Sequence, residues 1–187
     1  MDAGSLSFEQ LQSVHDDLSG VFTLHQELMV CGEVALADEI LDLFASLLEV
    51  HMNQEENHLF PLIIRLLKMA PDRAVPLIGE HERMMLLVRI FQVKMKDLLK
   101  LSASEQRRGI IDLLDQQSEF KHLFVSHDES EHELLLPGLN MITNVDERIQ
   151  IISDLIRDWQ RSVQRALPRL RDAQEFLTEH DRERTVN

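Results

Sequence analysis

The sequence predicts an all-α protein with four long amphipathic helices followed by an additional C-terminal amphipathic helix. The 187 residues include only six Gly, five Pro and no Tyr, while Leu, Glu, Ile and Met are abundant, a composition that favours helices. Apolar residues recur at alternating steps of three and four, the spacing of one face of a helix. Turn signals separate the successive stripes.

The chain length bounds the domain organisation. At 187 residues it is long enough to bury a substantial core, and nothing in it requires a second domain. We expect residues 1–140 to form the bundle. Residues 141–187 then form a helical extension that packs on the bundle or is used in assembly.

The first two helices are predicted from stripes that flank a turn at Cys31-Gly32-Glu33-Val34. The second stripe places polar side chains where a core is expected, and buried polar groups are costly unless they have partners. The first stripe consists of Leu11, His15, Leu18, Phe22, His25 and Met29. The second consists of Phe44, Leu48, His51, Glu55, His58 and Leu62.

The third and fourth helices flank a second turn, at which Ser102 or Ser104 can cap a helix. A loop precedes the third helix, Pro76 suits its first turn, and Pro137 is expected to end or bend the fourth. The third stripe consists of Leu77, His81, Met84, Val88, Phe91, Met95 and Leu98. The fourth consists of Ile110, Leu113, Gln117, Phe120, Phe124, His127, Glu131 and Leu134.

The fifth stripe carries no ligand-like pair and has three arginines on its outer face. We favour a helix packed over the bundle, because a single apolar stripe must be buried somewhere. The alternative is a dimer or partner surface. The stripe consists of Ile149, Ile152, Ile156, Trp159, Val163, Ala166 or Leu167, and Leu170, with a kink expected at Pro168 and with Arg157, Arg161 and Arg165 outside.

Two copies of one motif, 76 residues apart, indicate a paired metal site. His51-x3-Glu55 leads into Leu-Phe-Pro, and His127-x3-Glu131 leads into Leu-Leu-Pro. Residues four apart share one helix face, so each copy directs an imidazole and a carboxylate to the same point. This nitrogen-and-oxygen donor set suits iron, zinc or manganese.

The turn positions predict a partner for each motif. In antiparallel helices, two residues lie level when their midpoint falls at the turn. The midpoint of His15 and His51 falls at the first turn, and that of His81 and His127 falls at the second. We therefore expect His15, His51, Glu55, His81, His127 and Glu131 to converge, rather than to be six separate core residues.

The register between the second and third helices does not follow from this rule. The midpoint of His51 and His81 lies several residues before the loop. Pro61 follows the first motif and removes a helical hydrogen bond, so we expect the helix to bend or stop there. Residues 62–75 would then form a separate capping segment.

Charge and cysteine content restrict the environment and partners. The net charge is −14, and residues 1–144 contain 24 acidic and 11 basic residues, which argues against nucleic acid and anionic membranes as partners. No apolar run reaches membrane-spanning length, and the N-terminus has no secretory pattern. Cys31 is the single cysteine, so no internal disulfide is possible and a cytoplasmic location is expected.

The motifs together resemble the hemerythrin superfamily, specifically its HHE-type cation-binding domains. The resemblance spans residues 10 to about 137 and rests on His15-Asp-Asp-Leu, His51-x3-Glu55, Glu80-His81-Glu82 and His127-x3-Glu131. It implies an up-down four-helix bundle around a non-heme di-iron centre. Glu55 and Glu131 would bridge two iron ions together with an oxo or hydroxo group, and the four histidines would be terminal ligands.

The chain departs from the respiratory hemerythrins in two places. Leu77 and Met85 stand four residues on either side of His81, so a second histidine on that helix is missing. His132 stands where those proteins have an Asp. Four His and two Glu match instead the HHE proteins linked to repair of iron centres under nitrosative stress, so reversible oxygen carriage is not the expectation.

Further polar residues are expected around this site. We expect His25 and His58 to lie too far along the bundle axis to be ligands, with His58 partly buried and hydrogen-bonded. His122 and His180 are expected at the surface. Candidates to hold the ligating imidazoles from outside are Asp16, Glu56, Glu80 and His132.

Three functions fit these features. The favoured one is a metal protein that binds or senses O₂ or a related small molecule, NO or peroxide, without turnover, in a pocket lined by Phe22, Phe44, Met84, Val88, Phe120 and Phe124. The second is catalysis at the same site, by iron-centre repair or by handling of NO or peroxide. The third is an iron-responsive regulatory protein that acts through its C-terminal helix, for example by homodimerisation.

Overall fold

The computed structural model describes residues 7–68 and 75–186, and within these ranges it contains helices and their connections but no strand. A 3₁₀ turn at Phe8–Leu11 leads into the first helix. The α-helices are α1 Gln12–Cys31, α2 Val34–Gln54, α3 Phe60–Leu67, α4 Val75–Leu98, α5 Ala103–Ser130, α6 Leu136–Ile142 and α7 Val145–Val186. Five-residue π-helical turns at Glu55–Leu59 and Glu131–Leu135 join α2 to α3 and α5 to α6.

Helices α1, α2, α4 and α5 form an antiparallel four-helix bundle. In the ring of contacts α1 packs on α2, α2 on α4, α4 on α5, and α5 on α1. The predicted all-α class and the four long helices are confirmed. Their apolar stripes meet in a core that contains Leu18, Leu28, Leu41, Phe44, Val88, Phe91 and Phe120.

The turn between α1 and α2 is closed by Gly32. Its φ of 85° is left-handed, and its N–H donates to the Met29 carbonyl at 3.0 Å while the Glu33 N–H donates to the Leu28 carbonyl at 2.9 Å. A left-handed residue at this position ends many helices, and Gly adopts it without a steric penalty. The short turn makes α1 and α2 neighbours, as predicted.

The turn between α4 and α5 ends in a helix cap. The Glu105 carboxylate accepts hydrogen bonds from the Ser102 backbone N–H at 3.0 Å and from the Ser102 hydroxyl at 2.5 Å. This is a capping box, which satisfies N–H groups that a helix start leaves unpaired. Of the two predicted capping residues, Ser102 is therefore the one used.

The break in the second helix is placed differently from the prediction. The hydrogen-bond pattern changes at Glu55–Leu59, before Pro61, and the chain then continues as α3 to Leu67 instead of stopping. Helical structure likewise continues past Pro137 in α6. Part of the predicted capping segment, residues 69–74, lies outside the described residues, as does the side chain of Leu134.

A second apolar cluster lies beyond the two π-helical turns. Helices α3 and α6 pack on each other there, and α7 and the N-terminal turn join them. Its buried residues are Phe8, Leu11, Leu59, Phe60, Leu62, Leu77, Leu135, Leu136, Leu139, Ile152 and Leu155. The polar residues of the two motifs therefore lie between two separate apolar cores.

Helix α7 packs across α1 and α2, the arrangement favoured for the fifth stripe. The Trp159 indole N–H donates to the Asp17 carboxylate at 2.9 Å, and the Arg169 Nε–H donates to Glu39 at 2.6 Å. The helix runs without interruption through Pro168. Its outer face carries the exposed residues Arg157, Arg161 and Arg165, as predicted.

Candidate metal centre

Six buried polar side chains from four helices meet in the middle of the bundle. Helices α1, α2, α4 and α5 contribute one histidine each, and the two glutamates are the first residues of the π-helical turns that follow α2 and α5. Their exposed fractions are 4% for His15, 6% for His51, 5% for Glu55, 2% for His81, 0% for His127 and 1% for Glu131. The predicted convergence of the six residues is therefore observed.

The histidines form the two pairs that the turn midpoints predict. The ring centroids of His15 and His51 lie 4.6 Å apart, and those of His81 and His127 lie 4.8 Å apart. Across the two pairs, His15 and His127 are separated by 6.4 Å. Two neighbouring histidine pairs at one height thus face a common centre.

Each carboxylate reaches both histidine pairs. Glu55 lies 3.4 Å from His51 Nε2 and 3.1 Å from His81 Nε2. Glu131 lies 3.4 Å from His15 Nε2 and 3.5 Å from His127 Nε2. All four Nε2 atoms therefore point inward, toward the two carboxylates.

Three of the imidazoles have a carboxylate next to their outer nitrogen, Nδ1. The Nδ1 atom of His15 lies 3.0 Å from Asp128, that of His81 lies 3.2 Å from Glu56, and that of His127 lies 2.9 Å from Glu80. The contact of His15 does not complete a hydrogen bond, whereas those of His81 and His127 do. Because an ionised carboxylate only accepts hydrogen bonds, these two bonds place the proton of the neutral ring on Nδ1. The Nε2 lone pair is left for a cation.

Two of the four predicted outer partners make these contacts and two do not. Glu56 and Glu80 contact ligand-like imidazoles, whereas Asp16 and His132 are exposed. Asp128 was missed, although it stands next to His127 in the sequence. Its position one residue along α5 turns it toward α1, where the Gln12 amide also donates to both of its oxygens at 2.9 Å.

The donor atoms fit a bound cation. His15 Nε2, His51 Nε2, Glu55 Oε2 and Glu131 Oε1 are buried and complete no hydrogen bond within the described chain. His81 Nε2 and His127 Nε2 lie 3.2 Å apart, so in the neutral tautomers two lone pairs face each other. A cation at the centre would give all these atoms a partner.

The electrostatics of the cluster support the same conclusion. Burial, together with the nearby Glu55 charge, raises the pKa of Glu131 well above its ordinary value, so the two carboxylates do not both ionise without a positive charge between them. Burial lowers the pKa of His51 to about 3 and also lowers that of His127. These two imidazoles are therefore neutral, as a metal ligand must be. At His81 burial acts in the same direction, but the hydrogen bonds and charges of Glu55 and Glu56 outweigh it and raise the pKa, so a bound metal would have to displace a proton there.

The surroundings of the cluster are apolar on both sides. The His15 ring centroid lies 5.8 Å from that of Phe124, and Phe60 stacks on His81 at 5.6 Å. The predicted lining residues are all buried, and Phe22, Phe44, Phe120 and Phe124 border a cavity of about 30 Å³. Phe60 comes from the other core and was not predicted as lining.

The remaining histidines lie apart from the cluster. His25 is fully buried, donates from Nδ1 to the Ala37 carbonyl at 2.7 Å and accepts at Nε2 from the Gln117 amide at 2.9 Å. His58 is exposed, so its predicted partial burial is wrong. The π-helical turn directs Leu59 inward and leaves His58 in solvent.

The two expected surface histidines differ from each other. His122 is exposed, as predicted. His180 is half-buried in α7 and stacks on Phe176 with ring centroids 6.0 Å apart, so it is less exposed than predicted.

This combination of features defines a class of protein: a helical bundle with a buried histidine and carboxylate cluster suited to metal cations. The family model described as "Hemerythrin HHE cation binding domain" matches residues 7–139. The chain therefore belongs to the hemerythrin HHE cation-binding family. No curated protein and no solved structure matched it.

Within residues 7–68 and 75–186, none of the helices is both long and apolar enough to cross a membrane.

Proposed function

We propose that the protein holds two iron ions in this cluster and uses them to bind or sense O₂ or a related small molecule, NO or peroxide. One observation carries the proposal: each of the two carboxylates, Glu55 and Glu131, lies 3.1 to 3.5 Å from the Nε2 atom of one histidine in each pair. Carboxylates placed in this way suit bridges between two ions. A site for a single ion would not require two separated histidine pairs.

The donor geometry supports two positions. The atoms of His15, His51 and Glu55 lie within 4.8 Å of one another, and so do those of Glu55, His81, His127 and Glu131. Glu55 belongs to both groups. With both glutamates as bridges, each ion would have two imidazoles and two carboxylate oxygens.

Four protein donors leave each ion with room for a further ligand, since iron at nitrogen and oxygen sites accepts more. A bound iron pair would supply reversible electron transfer and open positions for O₂, NO or peroxide. The protein's own residues would orient the ions and exclude water. The apolar rings of Phe60 and Phe124 next to the histidines favour small ligands with little charge.

The same site suits catalysis in principle, by iron-centre repair or by turnover of NO or peroxide. Catalysis of this kind needs protons delivered by a positioned acid or base. The cluster's own imidazoles and carboxylates are all committed to the proposed ions or to one another. Binding or sensing is therefore the primary proposal, and turnover is the outcome that would replace it.

A regulatory role is supported by the contacts of α7. Trp159 bonds to Asp17, two residues after His15, and the Gln54 amide next to Glu55 donates to the Leu155 carbonyl at 3.2 Å. A change in the centre can therefore reach α7 through single residues. If metal-free and metal-bound protein differ in oligomeric state by sedimentation, this role is favoured, and identical assembly would discard it.

Metal analysis of the purified protein tests the central claim. We expect about two iron ions per chain in the wild type and strong loss in Glu55→Ala, because that substitution removes a donor from both positions. His58→Ala is the matched control, since His58 lies in the same turn but is exposed. Loss of metal in the control, or full metal content in Glu55→Ala, would contradict the assignment.

Spectroscopy then separates binding from turnover. Mixing the reduced protein with O₂ should give new charge-transfer absorption, and failure to do so would contradict the proposed ligand. Repeated consumption of NO or peroxide by the reduced protein would favour the catalytic alternative.

The single cysteine also fits our expectation that the protein works in the reducing cytoplasm.

A further inference from the structure

The two histidine pairs differ in what holds them from outside. Both members of the pair His81 and His127 contact an outer carboxylate, Glu56 and Glu80 respectively. In the other pair, His15 Nδ1 lies 3.0 Å from Asp128 without completing a hydrogen bond, and His51 makes an ion-pair contact within the described chain only with Glu55. The first pair thus has two outer carboxylates and the second has one.

The two groups of donors also differ in compactness. Around the pair His81 and His127, four donor residues lie within 4.8 Å of one another, including both glutamates. Around the pair His15 and His51, only Glu55 completes such a group. The close approach of two Nε2 atoms, at 3.2 Å, also occurs in the first pair.

Both differences act in the same direction on metal affinity. A carboxylate that accepts the Nδ1 proton makes an imidazole more basic and fixes its orientation, and loss of such a partner typically costs about 10- to 100-fold in affinity. A donor group that is already assembled also needs less rearrangement. Glu56 is 44% exposed and Glu80 25%, so solvent weakens the effect without removing it.

We propose that the two metal positions are unequal: the position of His81 and His127 takes the first ion and holds it more tightly, and that of His15 and His51 fills second. This inference rests on the proposed two-metal function. Glu56, Glu80 and Asp128 are then positioning residues, each assigned to one position. The second position is the one from which metal exchanges more readily.

Titration of metal-free protein with cobalt(II), followed by its visible absorption and by calorimetry, tests the assignment. We expect two steps that differ at least tenfold in affinity. Glu56→Gln and Glu80→Gln should weaken the tight step about 10- to 100-fold. Asp128→Asn should weaken the second step by a smaller factor, because the contact of Asp128 with His15 is not a hydrogen bond. The amide keeps the shape and an acceptor oxygen but removes the charge.

Matched controls separate direct contact from general charge. Glu82 lines the same surface groove as Glu56, and Glu129 lines the same groove as Asp128, but neither has an ion-pair contact with a histidine in the described structure. Glu82→Gln and Glu129→Gln should leave both steps within about twofold. Equal effects of controls and test variants would overturn the contact-based assignment.

Removal of one histidine from each pair provides a second test that does not depend on the outer residues. His51→Ala should leave one tight ion, whereas His81→Ala should leave one weak ion. The inference is overturned if the wild type shows two equal steps, or if the effects of the two sets of variants are exchanged. Binding of fewer than two ions by the wild type would refute the proposed function itself.

Discussion

The buried imidazole of His25 predicts a specific dependence of stability on pH. The ring is 0% exposed, and both of its nitrogens are used by neutral partners, the Ala37 carbonyl and the Gln117 amide. Protonation would put an N–H on Nε2, opposite the N–H of the amide. Burial lowers the pKa of His25 from 6.5 to about 4, although the hydrogen bond to Ala37 acts in the opposite direction.

The direction of this pH dependence follows from the pKa values of His25 in the unfolded and the folded chain. Between pH 6.5 and about 4 the unfolded chain binds a proton that the folded chain does not, so the stability is present above pH 6.5 and is lost as the pH falls through this window. A pKa that is lower by one in the folded chain corresponds to about 1.4 kcal/mol, so the lowering from 6.5 to about 4 corresponds to about 3 kcal/mol. The side chain is fully buried, so solvent screening does not reduce this figure.

Chemical denaturation of metal-free His25→Gln and wild type at several pH values measures the effect. Between pH 7 and pH 4 the wild type should lose about 3 kcal/mol more free energy of unfolding than the variant, by the same linkage. His122→Gln removes an exposed histidine and should follow the wild type. Parallel curves for wild type and His25→Gln would refute the assignment of a neutral buried imidazole.

Five further substitutions test three other parts of the structure by denaturation of the metal-free protein. Gly32→Ala should lower the free energy of unfolding by about 1–2 kcal/mol because Gly32 has a left-handed φ. The control Gly20→Ala lies within α1 with open space around it and should raise the free energy of unfolding by about 0.5–1 kcal/mol. Equal effects of the two substitutions would contradict the turn geometry. Glu131→Gln should stabilise the metal-free chain at pH 7 and abolish metal binding. Because the folded-state pKa of Glu131 lies well above 4.5, the wild type loses stability as the pH rises from 4.5 toward that pKa, and the amide removes this loss; a less stable variant would contradict the reasoning. Trp159→Ala should cost about 3–5 kcal/mol and Asp17→Asn only about 1 kcal/mol, and a small effect of the first would argue against docking of α7.

The positions of the histidine pairs could be predicted because two of the connections are short. Where helices are joined by a tight turn, the turn fixes which residues lie level. This holds at Gly32 and at Ser102, and the pairs His15 with His51 and His81 with His127 follow from it. The rule needs only the turn centre and straight helices on either side.

The sequence was less informative where helices are not straight. The π-helical turn at Glu55–Leu59 contains one more residue than an α-helical turn, so the stripe predicted through His58 is displaced. Asp128 was missed for a related reason. A stripe identifies residues that face the bundle centre, whereas Asp128 lies beside the stripe and reaches His15 across the interface between α5 and α1.

Both motifs combine a glutamate, a π-helical turn that starts at it, and a proline six residues later. The Phe60 N–H donates to the Glu55 carbonyl and the Leu136 N–H to the Glu131 carbonyl, each just before a proline. In a regular α-helix the proline ring would crowd the carbonyl four residues earlier, and a wider turn relieves this.

The prolines thus help to define where the bundle core ends. The wider turns leave Glu55 and Glu131 in the centre, while the residues after them enter the second apolar cluster, where α3 packs on α6. Neither the motif nor the proline alone would place a carboxylate at the boundary between two cores. Because the glutamate and the proline have the same spacing on both helices, both carboxylates lie at the boundary between the two apolar cores. The polar cluster is therefore covered by apolar side chains on both sides.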